Sequence, residues 1–332
     1  MDVYLAHTPY HLILCILNGC LEQESTVVLL DDSGNLSWYG RNEVVSFFHQ
    51  RLVYLSLGGK NSIEKLFNKN TLFSRITNSP INTLTNHIKN LKPNRVYVFA
   101  DYQPEVQCIL RQLGNAHITY IEDGSAPYNL HELKNQKNFI FQKILFGLHY
   151  ERISVFGTSK FIRDSLFTFP ELIREENRKT PYRKIRTGDN SALKRFSELY
   201  EIEKNILEET RDISIYLVPP YIDEYLLTAY RQSIQKDLEN DVRPIIKHHP
   251  SSKIIKTPLD DCWEIDQFIP TELLLLSLKN VKRIFSYPST SLLVAGLFRK
   301  IEAYCFIRNT GETDHFYINN LRSVGVNLIW LK

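Results

Sequence analysis

The sequence contains 332 residues, which is enough for one large domain or for two domains of ordinary size. Hydrophobic residues make up 43% and charged residues 23%, a composition typical of globular proteins that excludes disordered and fibrous chains. The formal net charge of +3 is too small to indicate a nucleic-acid-binding protein, so we expect no nucleic-acid partner.

The cysteines are scattered and show neither a CxxC pair nor the ligand spacing of a zinc site. The first twenty residues lack the basic region and the small-residue cleavage site of a signal peptide. No stretch approaches the roughly 20 apolar residues that a membrane span needs. We therefore expect a cytoplasmic protein with reduced thiols at Cys15, Cys20, Cys108, Cys262 and Cys305.

In chain order, short apolar runs typical of strands alternate with longer helical stretches, which predicts parallel α/β layers. The first block predicts a helix that runs through Leu21 after the first strand. Polar residues or glycine follow several of the runs directly, at the sheet edge where ligands bind in such folds. The predicted strands of this block are residues 2–6, 26–30, 51–55, 95–99, 116–121 and 152–156.

The alternation weakens after residue 160 and resumes after a polar, charged stretch that Pro181 and Gly188 interrupt. The second block predicts a helix over 224–238. Its predicted strands are residues 213–218, 244–247, 282–285 and 302–306. The pattern predicts an α/β protein with Rossmann-like domains at 1–175 and 206–332, a charged linker at 176–205, and a cleft between the domains.

Two adjacent carboxylates and a glycine, Glu122-Asp123-Gly124, directly follow the strand 116–121. A carboxylate at a strand end can serve as a general base, and glycine permits a tight backbone turn. An ordinary strand-to-loop turn is the alternative, because Asp-Gly is a common turn pair.

The pair His249-Pro250 follows a strand of the second block, and the proline favours an extended conformation for the histidine. A histidine there can donate to a leaving phosphate near neutral pH, although an ordinary surface histidine is the alternative. Ser289-Thr290-Ser291 precedes a helix, where hydroxyl and backbone N–H groups can bind phosphate or simply cap the helix. Glu272 lies in the first turn of another predicted helix, where the helix dipole favours an acid.

The predicted linker is rich in basic residues. A solvated loop is one interpretation, and contact with a membrane surface or an anionic polymer is the other. The residues concerned are Arg178, Lys179, Arg183, Lys184 and Arg186.

Taken together, the acid-acid-Gly, His-Pro and hydroxyl motifs resemble, in type and order, those of the bacterial sialyltransferases. The N-terminal Thr8-Pro9-Tyr10 is similar to the opening of the lipooligosaccharide sialyltransferases, glycosyltransferase family fifty-two. The capsule polysialyltransferases share the three motifs and are the related alternative.

This resemblance implies a GT-B architecture, with two Rossmann-like domains that bind CMP-sialic acid and a galactose-terminated acceptor glycan. It implies an inverting transfer of sialic acid to a galactose hydroxyl, with an alpha-2,3 linkage expected and neither a metal nor another cofactor. Glu122 would be the general base, with Asp123 beside it, and His249 would assist the departure of the CMP phosphate. Gly124, Pro250, Glu272, Ser289, Thr290 and Ser291 would contribute to binding of CMP-sialic acid, and Thr8, Pro9 and Tyr10 would face the acceptor.

Other functions stay open beside this one. A polysialyltransferase or another CMP-sugar glycosyltransferase fits the same motifs. A metal-dependent hydrolase could use His248 and His249 with Asp260 and Asp261, and a non-catalytic glycan-binding protein could use the basic linker. The sequence leaves open the linkage, the acceptor, polymerisation against single transfer, peripheral attachment to the inner face of the plasma membrane, and the oligomeric state, with a homodimer among the options.

Overall fold

The structure is a computed structural model that describes residues 1–31, 36–56, 80–114, 116–130, 150–185, 190–250, 262–298, 301–308 and 314–331. The chain divides into two compact units, Met1–Asp189 and Asn190–Lys332. Among the described helices, none combines the length and the apolar character that crossing a membrane requires.

The first unit is built on a sheet whose neighbouring strands are parallel and follow the order β3-β2-β1-β4-β5-β6-β7. Its strands are β1 (Asp2–Ala6), β2 (Ser25–Asp31), β3 (Leu52–Ser56), β4 (Arg95–Val98), β5 (His117–Ile121), β6 (Asp164–Phe167) and β7 (Tyr182–Lys184). Its helices are α1 (Pro9–Leu17), α2 (Asn42–Phe47), α3 (Pro80–Asn90) and α4 (Pro104–Gln112). The central strands β1 and β2 are almost wholly buried, as expected for a parallel sheet.

The second unit contains a parallel sheet of strand order β10-β9-β8-β11-β12-β13. Its strands are β8 (Ile213–Val218), β9 (Arg243–His248), β10 (Trp263–Ile265), β11 (Val281–Ser286), β12 (Glu302–Arg308) and β13 (Asn327–Leu331). Its helices are α5 (Ser191–Ser197), α6 (Lys204–Leu207), α7 (Glu224–Glu239), α8 (Thr271–Ser277), α9 (Thr290–Phe298) and α10 (His315–Ser323). One cluster of its core contains stacked aromatic rings: Tyr216 stacks on Phe285 at 4.7 Å between ring centroids, and Phe306 packs beside them.

The α/β alternation that the sequence predicts is confirmed, with one strand misplaced. Residues 152–156 do not form a strand, and the strand beside β5 is β6, at Asp164–Phe167. Side chains donate hydrogen bonds to the backbone of the misassigned segment in place of a neighbouring strand: Asn177 donates to the Phe156 carbonyl and Thr158 to the Val155 carbonyl, each at 2.7 Å. Apolar alternation alone does not distinguish such a segment from a strand.

In the described part of the predicted linker 176–205, the chain forms elements of both units. Tyr182–Lys184 is the edge strand β7 of the first sheet, and α5 packs against α8 in the second unit. Arg183 is exposed and lies 3.4 Å from Asp164, whereas Arg186 lies outside the described residues. Sheet pairing and helix packing therefore replace the free loop that we expected, and the membrane contact of these basic residues stays a prediction.

Candidate active site

The carboxyl ends of β1, β4 and β5 lie side by side at one edge of the first sheet. Helix α1 begins just after β1, where Thr8 caps it by accepting the N–H of His11 at 3.2 Å. Pro9 occupies the first turn, a position where its fixed φ and missing N–H are tolerated. Beyond β5, Gly124 has a φ of +56°, a left-handed conformation that favours glycine. This local geometry brings the first turn of α1 to the carboxylates that follow β5.

Glu122 is buried, with 1% of its surface exposed, and accepts hydrogen bonds from three segments of the unit. Its Oε1 accepts the hydroxyl of Tyr10 at 2.9 Å and that of Thr168 at 2.7 Å. Its Oε2 accepts the Thr168 N–H at 2.6 Å and the hydroxyl of Tyr128. Burial raises the pKa of Glu122, and these hydrogen bonds act in the opposite direction. Glu122 thus ties α1 and the segment after β6 to the end of β5.

Asp123 lies beside Glu122 in the chain, but 25% of its side chain is exposed. Its Oδ1 is 2.9 Å from Nε2 of His11, a buried residue of α1. The backbone N–H of Asp123 donates to the hydroxyl oxygen of Tyr120 at 3.1 Å. The two adjacent carboxylates therefore differ: one is enclosed by protein and the other reaches solvent.

Asp101, another buried acid of this edge, accepts two backbone N–H groups. Its Oδ1 accepts from Gly157 and its Oδ2 from Ser159, each at 2.9 Å. Gly157 has a φ of +75° and lies directly against Tyr120. Asp101 thereby holds the 157–159 segment against the tyrosine that contacts Asp123.

Burial is the main cause that raises the pKa of Asp101 to about 6, and the charge of Asp123 acts in the same direction. Because this pKa lies above that of the unfolded chain, the folded protein binds more protons between about pH 4 and pH 6. We expect this residue's contribution to the free energy of unfolding to fall by roughly 3 kcal/mol as the pH rises through that window. Urea unfolding of the parent protein and of Asp101→Asn between pH 4 and pH 7 measures it: the advantage of the parent should shrink with rising pH. A constant difference would contradict the assignment.

In the second unit, the predicted His-Pro motif follows β9. The N–H of His249 donates to the Val218 carbonyl at 3.0 Å, so the histidine lies beside the end of β8. His249 is half-buried and Pro250 is exposed. Burial lowers the pKa of His249, and the nearby charge of Lys247 acts in the same direction. His248 is buried instead, with Nε2 3.9 Å from Oε1 of Glu264.

Glu272 and Ser291, both predicted as donor-binding residues, lie together. The Ser291 hydroxyl donates to Oε1 of Glu272 at 3.4 Å, which links α9 to α8. Burial raises the pKa of Glu272, whereas the charge of Lys247 lowers it.

The other predicted hydroxyls lie just before or at the start of α9. Ser289 is hydrogen-bonded to Ser286 at 3.0 Å between hydroxyl oxygens, and Thr290 is the first residue of the helix. All three predicted hydroxyl residues are half-buried.

Sequence reasoning missed the residues that support these acids. In the first unit they are His11, Thr168 and Tyr128, which contact Asp123 or Glu122. In the second unit the missed residue is Lys247, whose charge acts on Glu272. Its Nζ donates to the Gln267 carbonyl at 3.0 Å. Burial lowers the pKa of Lys247 to about 8, partly offset by the charge of Glu272. The position of His11 in the first turn of the helix that follows β1 was the available signal, because the segments after parallel strands form the ligand-binding edge.

Within the described part of the chain, no group of three or more His, Cys, Asp or Glu side chains could hold a metal ion. Asp260 and Asp261, which the hydrolase alternative needs, lie outside the described residues. The independence of metals and cofactors stays a prediction.

Solved structures of other proteins share this fold. The glycosyltransferase SnogD from Streptomyces nogalater is 14% identical, with a TM-score of 0.52. UGT89C1 of Arabidopsis thaliana, solved as a complex with UDP, is 12% identical, with a TM-score of 0.50. Each match covers 99% of this chain and 86% of the other. At such low identity these matches show the fold alone, and they confirm the predicted GT-B class of two α/β units.

The search of curated proteins gave no significant match. The family model described as alpha-2,8-polysialyltransferase (POLYST) matches residues 50–307, which is most of the chain. This family corresponds to the related alternative that the sequence motifs indicated, and its match supports a glycosyltransferase. The chain belongs to the alpha-2,8-polysialyltransferase family.

Proposed function

We propose that the protein transfers sialic acid from CMP-sialic acid to a hydroxyl group of an acceptor glycan, with inversion at the anomeric carbon. The acceptor oxygen bonds to the anomeric carbon, the bond to the phosphate oxygen breaks, CMP leaves, and a protein carboxylate takes the hydroxyl proton. The family match over residues 50–307 is the observation that carries this proposal. The acid pair after β5 supports it, because this reaction needs a general base.

In the first unit, Asp123 is more exposed than Glu122, and this difference supports Asp123 as the base that meets the acceptor hydroxyl. Glu122, which the sequence motif favours for this role, has both oxygens occupied by protein donors. A substrate hydroxyl would have to displace one of those donors to reach it. Asp123 offers a partly exposed carboxylate, so Glu122 is assigned the task of fixing the strand end that carries Asp123.

In the second unit, we assign the donor-binding tasks to groups that follow β9 and β11 and to Glu272 in α8. His249 is half-buried and hydrogen-bonds or protonates the departing phosphate. Ser289 and Thr290 supply hydroxyls to the same phosphate, and Ser291, whose hydroxyl donates to Glu272, supplies its backbone N–H at the start of α9. Glu272 accepts hydrogen bonds from the ribose, with its carboxylate held by Ser291.

The acceptor is assigned from the family description. An alpha-2,8 linkage joins one sialic acid to another, so a glycan that ends in sialic acid is the acceptor we favour. The galactose-terminated acceptor, with alpha-2,3 transfer as in lipooligosaccharide, is the second candidate, and the Thr8-Pro9-Tyr10 opening is the feature that favours it.

The proposal is tested by incubating the purified protein with CMP-sialic acid and acceptors that end in sialic acid or in galactose. We expect mass spectrometry to detect sialylated product and CMP, with unchanged yield in EDTA. UDP-sugars serve as control donors and should give no product. Transfer from a UDP-sugar but not from CMP-sialic acid would contradict the donor assignment. Inactivation by EDTA that zinc or magnesium reverses would contradict the metal-free mechanism.

A further inference from the structure

We propose that His11 is a positioning residue that orients the carboxylate of Asp123 for proton transfer, a role that rests on the proposed function. His11 lies in α1 and is 1% exposed, so it has no direct path to a substrate. Its Nε2 is 2.9 Å from Oδ1 of Asp123, whose side chain remains 25% exposed. A buried group thus contacts one oxygen of a carboxylate that still reaches solvent.

The hydrogen bonds assign the protonation state of the imidazole. The backbone N–H of His7 donates to Nδ1 of His11 at 3.0 Å, so Nδ1 must be the unprotonated nitrogen. In the neutral ring the proton is then on Nε2, which donates it to Asp123. A second proton on Nδ1 would face the His7 N–H, so this geometry excludes the imidazolium ion. Burial also lowers the pKa of His11, against the opposing effect of Asp123.

The ring itself is held in place. It stacks on Phe99, just beyond β4, with 4.2 Å between centroids and 10° between planes. The N–H of His11 is bonded to the Thr8 side chain at the start of the helix. On the other side of the contact, Tyr120 accepts the Asp123 N–H. The donor and the carboxylate are therefore both anchored, a condition for keeping a catalytic group within a fraction of an ångström of its working position.

Two substitutions separate this role from simple packing. His11→Gln keeps an N–H donor near the position of Nε2 but loses the acceptor at Nδ1. His11→Asn keeps an acceptor near the position of Nδ1 but does not reach Asp123. His11→Phe keeps the ring and its stacking on Phe99 but has no donor at all. If His11 only fills space and caps the His7 N–H, Asn or Phe should replace it at least as well as Gln.

The experiment measures kcat, KM for CMP-sialic acid and the melting temperature of each variant. We expect His11→Asn and His11→Phe to lower kcat by about 10²-fold, the cost of misplacing a reacting group by about 1 Å, with little change in KM. His11→Gln should retain most of the parental kcat. Parental kcat in His11→Phe or His11→Asn, or a kcat in folded His11→Gln as low as in His11→Phe, would overturn the proposal.

A second measurement does not depend on catalysis. Nitrogen-15 NMR of the histidine rings should show His11 protonated at Nε2 and not at Nδ1, with a shift that changes in Asp123→Asn. A ring protonated at Nδ1 would overturn the proposal even in an active enzyme. Absence of turnover in the parent protein, with the expected NMR result, would instead indicate failure of the proposed function alone.

Discussion

Asp123→Asn should lower the turnover of CMP-sialic acid by about 10²-fold or more, because the amide cannot accept the proton of the acceptor hydroxyl. The KM for the donor should change little, because Asp123 belongs to the first unit and the proposed donor-binding groups belong to the second. The melting temperature should also stay near that of the parent, since Asp123 is partly exposed. Steady-state kinetics and a thermal melt measure these quantities.

Glu122→Gln is the matched control, and we expect the opposite pattern of effects. The Gln amide group would face at least one N–H or O–H group that now donates to a carboxylate oxygen. An unpaired buried donor costs about 1–3 kcal/mol, so the melting temperature should fall. A folded Glu122→Gln protein with unchanged melting temperature and the greater loss of turnover would assign the base to Glu122, as the sequence motif predicts.

The Gly157→Ala substitution should destabilise the first unit strongly. A Cβ at this position would lie 2.5 Å from Cδ1 of Tyr120, well inside van der Waals contact, in a ring that is itself buried. Overpacking of this kind costs about 1–3 kcal/mol. The φ of +75° adds about 1–2 kcal/mol for any residue with a Cβ. Because Tyr120 also accepts the Asp123 N–H, turnover should fall together with the melting temperature.

Gly114→Ala is the control that measures the cost of a positive φ without a steric clash. Gly114 has a φ of +50° in the same unit, and a Cβ there would meet nothing within 4 Å. The Gly114→Ala protein should therefore lose only the stability that the positive φ costs, and it should keep the parental turnover. The double variant Gly157→Ala with Tyr120→Leu should regain part of the stability that Gly157→Ala alone loses, because the ring is removed. Equal melting temperatures for Gly157→Ala and Gly114→Ala would show that Tyr120 yields without cost.

The sequence predicts the central strands well because parallel strands buried on both faces are continuous apolar runs. Strands β1, β8 and β9 are of this kind, and the structure confirms them. The strands that the sequence did not predict include β7, β10 and β13, which lie at sheet edges and are partly or wholly exposed. Edge strands with one open side lack the uninterrupted apolar pattern, so their sequences resemble those of loops.

The candidate site could be predicted only in part for a related reason. Its position at the carboxyl edge of a sheet follows from the strand that precedes Glu122. The different surroundings of Glu122 and Asp123 depend on contacts with residues 46 and 112 positions away in the chain. Local sequence patterns carry no information on contacts at such separations, so the pairing of His11 with Asp123 and of Thr168 with Glu122 could not be identified in this way.

The contacts of α1 with the two acids have a common geometry. Tyr10 meets Glu122 and His11 meets Asp123, and both contacts span 112 residues of the chain. Neighbouring side chains on a helix diverge by about 100°, and neighbouring side chains in an extended strand point to opposite sides. Two adjacent residues of a helix thereby reach two adjacent residues at the end of a strand. Any rotation of α1 about its axis would alter both contacts at once, so the states of the two carboxylates are coupled through the orientation of a single helix.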